Sequence, residues 1–236
     1  MNDHPVVTPE HWLEARKRLL AKEKQFTRLR DELSQARREL PWVRVTKEYR
    51  FDGPAGEETL AQLFAGRSQL VVYHFMFAPD WDAGCKSCSF WADNFERNVV
   101  HLRARDVTLV AVSRAPLTKI EAFRKRLGWS FKWVSSEHTD FNFDYHVSFT
   151  PEALAKGEIY YNYAWSKSAL PEQPGISVFY RDASGAIFHT YSCYARGLDM
   201  MNTAYQYLDL VPMGRDEADQ RPNPQAWVRH RDTYGG

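Results

Sequence analysis

Two cysteines three residues apart, Cys85 and Cys88, are the residues of this 236-residue chain whose type and spacing could do chemistry. An apolar run from Leu70 to Phe77 leads to them and ends in a turn containing Pro79 and Gly84. The cysteines then open a segment predicted to be helical from about Lys86 to Arg103. A sulfur at the start of a helix meets unpaired backbone N–H groups and the positive end of the helix dipole, and both stabilise an anion. Cys85 is therefore the expected nucleophile, with a lowered thiol pKa. Cys88, nearly one turn later, shares its side of the helix and can attack a mixed disulfide formed at Cys85, releasing the product. Lys86 is a candidate for lowering the Cys85 pKa further, and Trp81 for shaping access to it.

Zinc sites use the same Cys-x-x-Cys spacing, but a four-ligand site needs a second ligand pair. The sequence offers neither another Cys-x-x-Cys nor a His-x-x-x-His, and the third cysteine, Cys193, stands alone in an expected strand. No metal and no cofactor is expected. The bland alternative is two reduced thiols without a task.

The rest of the chain must position this pair. Its 44% apolar and 26% charged residues are ordinary for a soluble globular protein. Lys and Arg number 31 against 30 Asp and Glu, so overall charge argues for neither nucleic acid nor membrane as a partner. The start, Met1-Asn2-Asp3-His4-Pro5, lacks a secretory signal, and no apolar run reaches the roughly 18 residues that span a bilayer. Three cysteines and no export signal point to the reducing cytoplasm.

Thr8-Pro9-Glu10 reads as a helix start, with Trp12, Leu19, Phe26, Leu33 and Leu40 following at intervals of seven. The companion positions Ala15, Lys22, Leu29 and Ala36 are half apolar. The helix, about 32 residues and roughly 48 Å long, is either laid across the domain or an arm that forms a homodimer. Trp42 to Phe51 reads as an edge strand, Thr59 to Ala65 as a short helix, and Leu70 to Phe77 as a buried strand in which His74 is a hydrogen-bonded core residue. Val107 to Val112 is a second buried strand, followed by a helix from Leu117 to Leu127. This alternation implies parallel strands, whose carboxyl edge gathers ligand chemistry and where Arg114 could meet the Cys85 thiolate. Phe141, Phe143, Tyr145, Val147 and Phe149 alternate with polar residues, predicting a strand within an aromatic insertion. Gly175 to Arg181 and Ala186 to Tyr194 form a hairpin, Leu198 to Leu210 a last helix, and the tail is expected to pack loosely.

The order β-α-β-α-β-β-α, with a dithiol after the first central strand, resembles the thioredoxin fold, and the lead-in Leu60 to Arg67 is similar to its peroxiredoxin-type branch. Tyr73-His74-Phe75-Met76-Phe77, Cys85-Lys86-Ser87-Cys88-Ser89-Phe90, Phe141-Asn142-Phe143-Asp144-Tyr145, Tyr160-Tyr161-Asn162-Tyr163 and Trp227-Val228-Arg229-His230 resemble a bacterial family, formerly of unknown function, assigned by prediction as dithiol-disulfide oxidoreductases. The resemblance implies an α/β class with a thioredoxin-like mixed sheet flanked by helices. It implies an N-terminal helical arm over 1–41, a thioredoxin-like domain over 42–212 with the insertion at about 129–173, and a C-terminal tail over 213–236. Thioredoxins also set a cis-proline against the dithiol; here either Pro174 or Ser177 would hold that place. The implied activity is thiol-disulfide exchange with a protein or small-molecule disulfide or thiol. The alternatives are a thiol peroxidase, for which Pro79 is present but the expected Thr is missing, and a non-catalytic binding or scaffold protein.

Overall fold

The computed structural model describes residues 4–168, 170–218, 220 and 223–235. Residue 169 of the expected insertion, residues 219, 221, 222 and 236 of the expected tail, and the first three residues lie outside that description. The chain divides into two compact units, Met1–Pro41 and Trp42–Gly236. The first holds α1, Pro9–Arg38. Thr8 caps it by accepting from the His11 N–H at 3.4 Å, Pro9 takes the first turn, and Arg37 and Arg38 suit its negative end. None of its residues is buried.

The second unit opens with β1 (Val43–Arg44), β2 (Arg50–Gly53), β3 (Gly56–Thr59) and α2 (Leu60–Leu63). A capping box between Thr59 and Gln62 starts α2. Then come β4 (Gln69–His74), α3 (Lys86–Ala92), α4 (Val99–Ala104), β5 (Val107–Ser113), α5 (Leu117–Arg126) and β6 (Lys132–Ser135). Next are α6 (Phe141–Asp144), α7 (Pro151–Lys156) and the small hairpin β7 (Ile159–Tyr161) and β8 (Ala164–Ser166). The unit closes with β9 (Gly175–Arg181), β10 (Ile187–Tyr194), a 3-10 segment from Ala195 to Met201, α8 (Thr203–Leu208) and a short 3-10 turn at Arg231–Thr233.

Eight strands form one sheet in the order β1-β10-β9-β4-β5-β6-β2-β3. β4, β5 and β6 run parallel, while β9 lies antiparallel to β4, and β10 antiparallel to β9. A parallel pair joined through a helical crossover, with an antiparallel hairpin beside the first strand, is the thioredoxin-like arrangement, here widened at both edges. The class is α/β, a large mixed sheet flanked by helices. Alternation along β4 divides its side chains between two cores. Tyr73 and, on β9, Ile176 face the core that contains Cys88, Trp91, Phe123 and Trp133. Leu70, Val72 and Phe179 face the other, with Phe51, Leu63, Val134 and Phe141.

Several expectations give way to tertiary structure. The predicted edge strand from Trp42 to Phe51 is split: β1 pairs with β10 at one edge and β2 with β3 and β6 at the other. The predicted helix from Lys86 to Arg103 breaks between α3 and α4, where the Asn94 and Asn98 side chains donate to the Phe90 and Asn94 carbonyls, four residues back. Phe141 to Phe149 is not a strand. Phe141, which opens α6, and Tyr145, which caps it, are both buried with ring centroids 4.7 Å apart, so a spacing of four satisfies the same aromatics. The last helix begins only at Thr203 and is preceded by the 3-10 segment. The expected insertion also supplies a third parallel strand, β6.

Candidate functional site

β4 and the residues after it carry the site to the carboxyl edge of the sheet. Past His74 the chain stays tied to β5: the Phe75 N–H donates to the Val112 carbonyl at 2.9 Å and the Ala115 N–H to the Phe77 carbonyl at 2.8 Å. The turn that follows is held by Lys119 Nζ, which donates to the carbonyls of Pro79 (2.8 Å) and Trp81 (3.0 Å). It doubles back so that the Cys85 N–H donates to the Met76 carbonyl at 3.0 Å. This return needs glycine at position 84, because a Cβ there would lie 2.7 Å from the Phe75 ring and 2.9 Å from the Phe123 ring. The Gly84 carbonyl is held from the tail, accepting from His230 Nε2 at 2.8 Å.

Cys85 is the N-cap residue of α3, and its carbonyl accepts from the Ser89 N–H at 2.9 Å. Its side chain is half-buried, whereas Cys88 is 2% exposed. The two thiols hydrogen-bond to each other, and their acidities diverge. Cys85 is lowered to about 7, chiefly because the Cys88 thiol donates to it; the N–H groups of Cys88 and Ser87 and the Ser87 hydroxyl add to this, against the opposing effect of burial. Burial pushes the Cys88 thiol well up, and the neighbouring Cys85 sulfur adds to that rise. Two donors oppose it: the Met76 N–H, 3.5 Å from Cys88 Sγ, and the Tyr73 hydroxyl. The pair thus holds one sulfur that ionises near neutrality and one kept as a thiol.

Beside Cys88 lies a cavity of about 270 Å³, walled by Tyr73, Met76, Trp91, Pro174 and Leu198. Pro174 stands directly before β9 on the Tyr73 and Ile176 side of the sheet. Ser177 has the opposite parity. It is fully buried in the other core, where its hydroxyl meets His74 Nε2 at 2.9 Å and the Ser192 hydroxyl at 2.8 Å. Of the two residues considered for the place opposite the dithiol, Pro174 is the one on that face. His74 is a core residue, and burial lowers its pKa to about 3. Trp81 is partly buried against the dithiol-side core. Lys86 turns toward the tail, donating to the Ala226 carbonyl at 3.0 Å. Arg114 ion-pairs with buried Glu172 at 3.1 Å and lies 4.5 Å from the Phe143 ring centroid.

Residues not singled out from sequence complete the setting. Ser87 and Tyr73 act on the two sulfurs as described. Tyr161 of β7 donates to the Pro174 carbonyl at 2.7 Å and accepts from the Ala195 N–H at 3.0 Å, joining the small hairpin to the cavity wall. The tail packs closely against α3: Val228 is fully buried, and Phe90 meets Trp227 edge-on at 5.4 Å. Ser87 was detectable as a hydroxyl between two cysteines at a helix start; the other contacts join residues too distant in sequence for any local signal.

The large mixed sheet flanked by helices is a thioredoxin-like fold, with a Cys-x-x-Cys pair at the amino end of the helix that follows its first central strand. The chain belongs to the family described as "Bacterial protein of unknown function (DUF899)", whose model matches residues 1–234. No curated protein matches it. Among solved structures it is similar to Xanthomonas campestris peroxiredoxin Q, at 15% identity over 67% of this chain and 90% of that one, with a TM-score of 0.45. It is also similar to the peroxidoxin BcpB of Mycobacterium tuberculosis, at 11% identity over 71% and 97%, with a TM-score of 0.47. Among the described residues, no helix is long and apolar enough to cross a membrane.

Proposed function

We propose that this chain is a thiol-disulfide oxidoreductase cycling between a Cys85/Cys88 dithiol and the corresponding intramolecular disulfide. The observation that carries this reading is the placement of the pair at the amino end of α3, with Cys85 half-buried at the N-cap and Cys88 buried within the first turn. The Cys85 thiolate attacks one sulfur of a substrate disulfide, forming a mixed disulfide and expelling the other sulfur as a thiolate. Cys88 then gives up its proton and attacks Cys85 Sγ, and the substrate's second sulfur leaves as a thiolate. Two electrons pass from the dithiol to the substrate, and an external thiol restores the pair. The Met76 N–H and the Tyr73 hydroxyl are placed to stabilise Cys88 as it ionises. Trp81, Pro174 and the Tyr161 hairpin would shape access. A reducing compartment, the cytoplasm in a bacterium, would keep the resting pair as a dithiol.

A second reading on the same sulfur is a thiol peroxidase, since half-buried Cys85 at the start of α3 is open to a small oxidant. With a hydroperoxide, Cys85 would take one oxygen to become a sulfenic acid and release the alcohol or water; condensation with Cys88 would then give the same disulfide and one water. Offering the reduced protein insulin, glutathione disulfide and hydrogen peroxide separates the two. Oxidation by the disulfides supports the first reading, oxidation by peroxide alone the second, and oxidation by none of them removes both.

A further inference from the structure

The long helix α1, none of whose residues is buried, lays out an apolar seam. Trp12, Leu19, Phe26 and Leu33 recur every seven residues, each about half exposed or more. Ala15, Lys22, Leu29 and Ala36 follow each of them by three, which completes a heptad seam over four repeats. Taking the first series instead with the positions four residues later would place Arg16, Glu23, Arg30 and Arg37 in the seam, so the first frame is the apolar one. Exposed leucines, a tryptophan and a phenylalanine on one stripe mark an association surface.

The charges beside the seam select the partner and its direction. In a parallel, in-register pair, each residue just before a leading seam position faces the residue five further along the other helix. Arg18 then meets Glu23 of the second copy and Glu32 meets Arg37, while the remaining pairs are His11 with Arg16 and Gln25 with Arg30. Twofold symmetry doubles the two attractive pairs, and none of these flanking pairs opposes two carboxylates or two Arg or Lys. An antiparallel pair would instead set Arg16, Glu23, Arg30 and Arg37 against the same net-positive row. We infer that α1 joins two copies of this chain as a parallel, in-register two-stranded coiled coil. Lys22, the single charged residue in the seam, faces Lys22 of the second copy, a like-charge contact that is tolerated only because each long stem carries its ammonium out of the seam toward Glu23 of the other helix.

The test is solution mass by light scattering on the full chain, in reducing buffer so that no cysteine cross-links the copies, with helix content followed by circular dichroism. The wild type is expected at twice 27.5 kDa at tens of micromolar. E23R turns two attractions into repulsions and should weaken the dimer about tenfold or more. Adding R18E to it restores the opposite-charge pair and should restore the dimer; in an antiparallel coil R18E would instead face Glu32 and weaken it further. F26D should give a monomer of unchanged core stability. A monomeric wild type, a dimer indifferent to E23R, or a double variant no tighter than E23R each overturns the inference.

Discussion

The sulfurs of Cys85 and Cys88 are the same element three residues apart, and their surroundings separate them. Cys85 collects donors: the Cys88 thiol, two backbone N–H groups and the Ser87 hydroxyl. Cys88 is enclosed by apolar walls. Because ionisation is what makes a thiol react, alkylation of Cys85 by iodoacetamide should rise with pH through a midpoint near 7, with Cys88 protected throughout. A midpoint near the free-thiol value of about 8.5 would contradict this placement. S87A removes one donor and should shift the midpoint upward, slowing alkylation at pH 6.5 by about threefold, which corresponds to roughly half a pH unit. The pair and its place at a helix start were legible in the sequence because they depend on two residue types and a spacing. What was not legible was which neighbours tune it. Tyr73 and His230 reach the site from 15 residues before Cys88 and from the far end of the chain, and no local pattern announces such contacts.

At the scale of elements, the turn from Phe77 to Cys85 works by close packing. G84A would drive a methyl into two buried rings and should cost about 1–3 kcal/mol in denaturant unfolding. An unchanged midpoint would show that the rings yield freely. The isolated bridge that pairs Glu172 with Ser148 introduces a pH dependence of its own. Burial raises the Glu172 carboxyl to about 7, outweighing the Ser148 hydroxyl at 2.6 Å and Arg114. Below about 4.5 both folded and unfolded chains hold this proton. As pH rises from 4.5 to 7 the unfolded chain releases it first, so stability falls, by an amount on the order of 3 kcal/mol. E172Q should flatten the stability curve across that window, and a slope equal to that of the wild type would contradict the assignment.

Elements legible in the sequence were those with a single dominant signal. β4 and β5 are continuous apolar runs, α5 is amphipathic, and Asp182-Ala183-Ser184-Gly185 turns β9 into β10 with the Asp182 carboxylate accepting from the Ser184 and Ala186 N–H groups. Elements that escaped were those decided by packing. β6 is only four residues long and lies inside an aromatic stretch; Phe141 and Tyr145 suit a period of two and a spacing of four equally well.

At the scale of the whole sheet unit, its last residues return to the dithiol. The tail closes against α3 through Trp227, Val228 and His230, so the site is finished by residues some 140 positions downstream. Removing residues 226–236 should cost about 2–4 kcal/mol of stability, from the lost Trp227 and Val228 burial. It should also quicken Cys85 alkylation at fixed pH, since the Gly84 carbonyl loses its anchor. Unchanged stability and reactivity would mean the tail is a bystander. The most direct measurement of the dithiol cycle is intact-mass spectrometry after exposing the reduced protein to glutathione disulfide. The wild type should lose about 2 Da as the Cys85–Cys88 disulfide closes, whereas C88S should stop as a stable glutathione adduct on Cys85. An adduct that persists in the wild type, or one found on Cys193 with Cys85 untouched, would contradict the cycle.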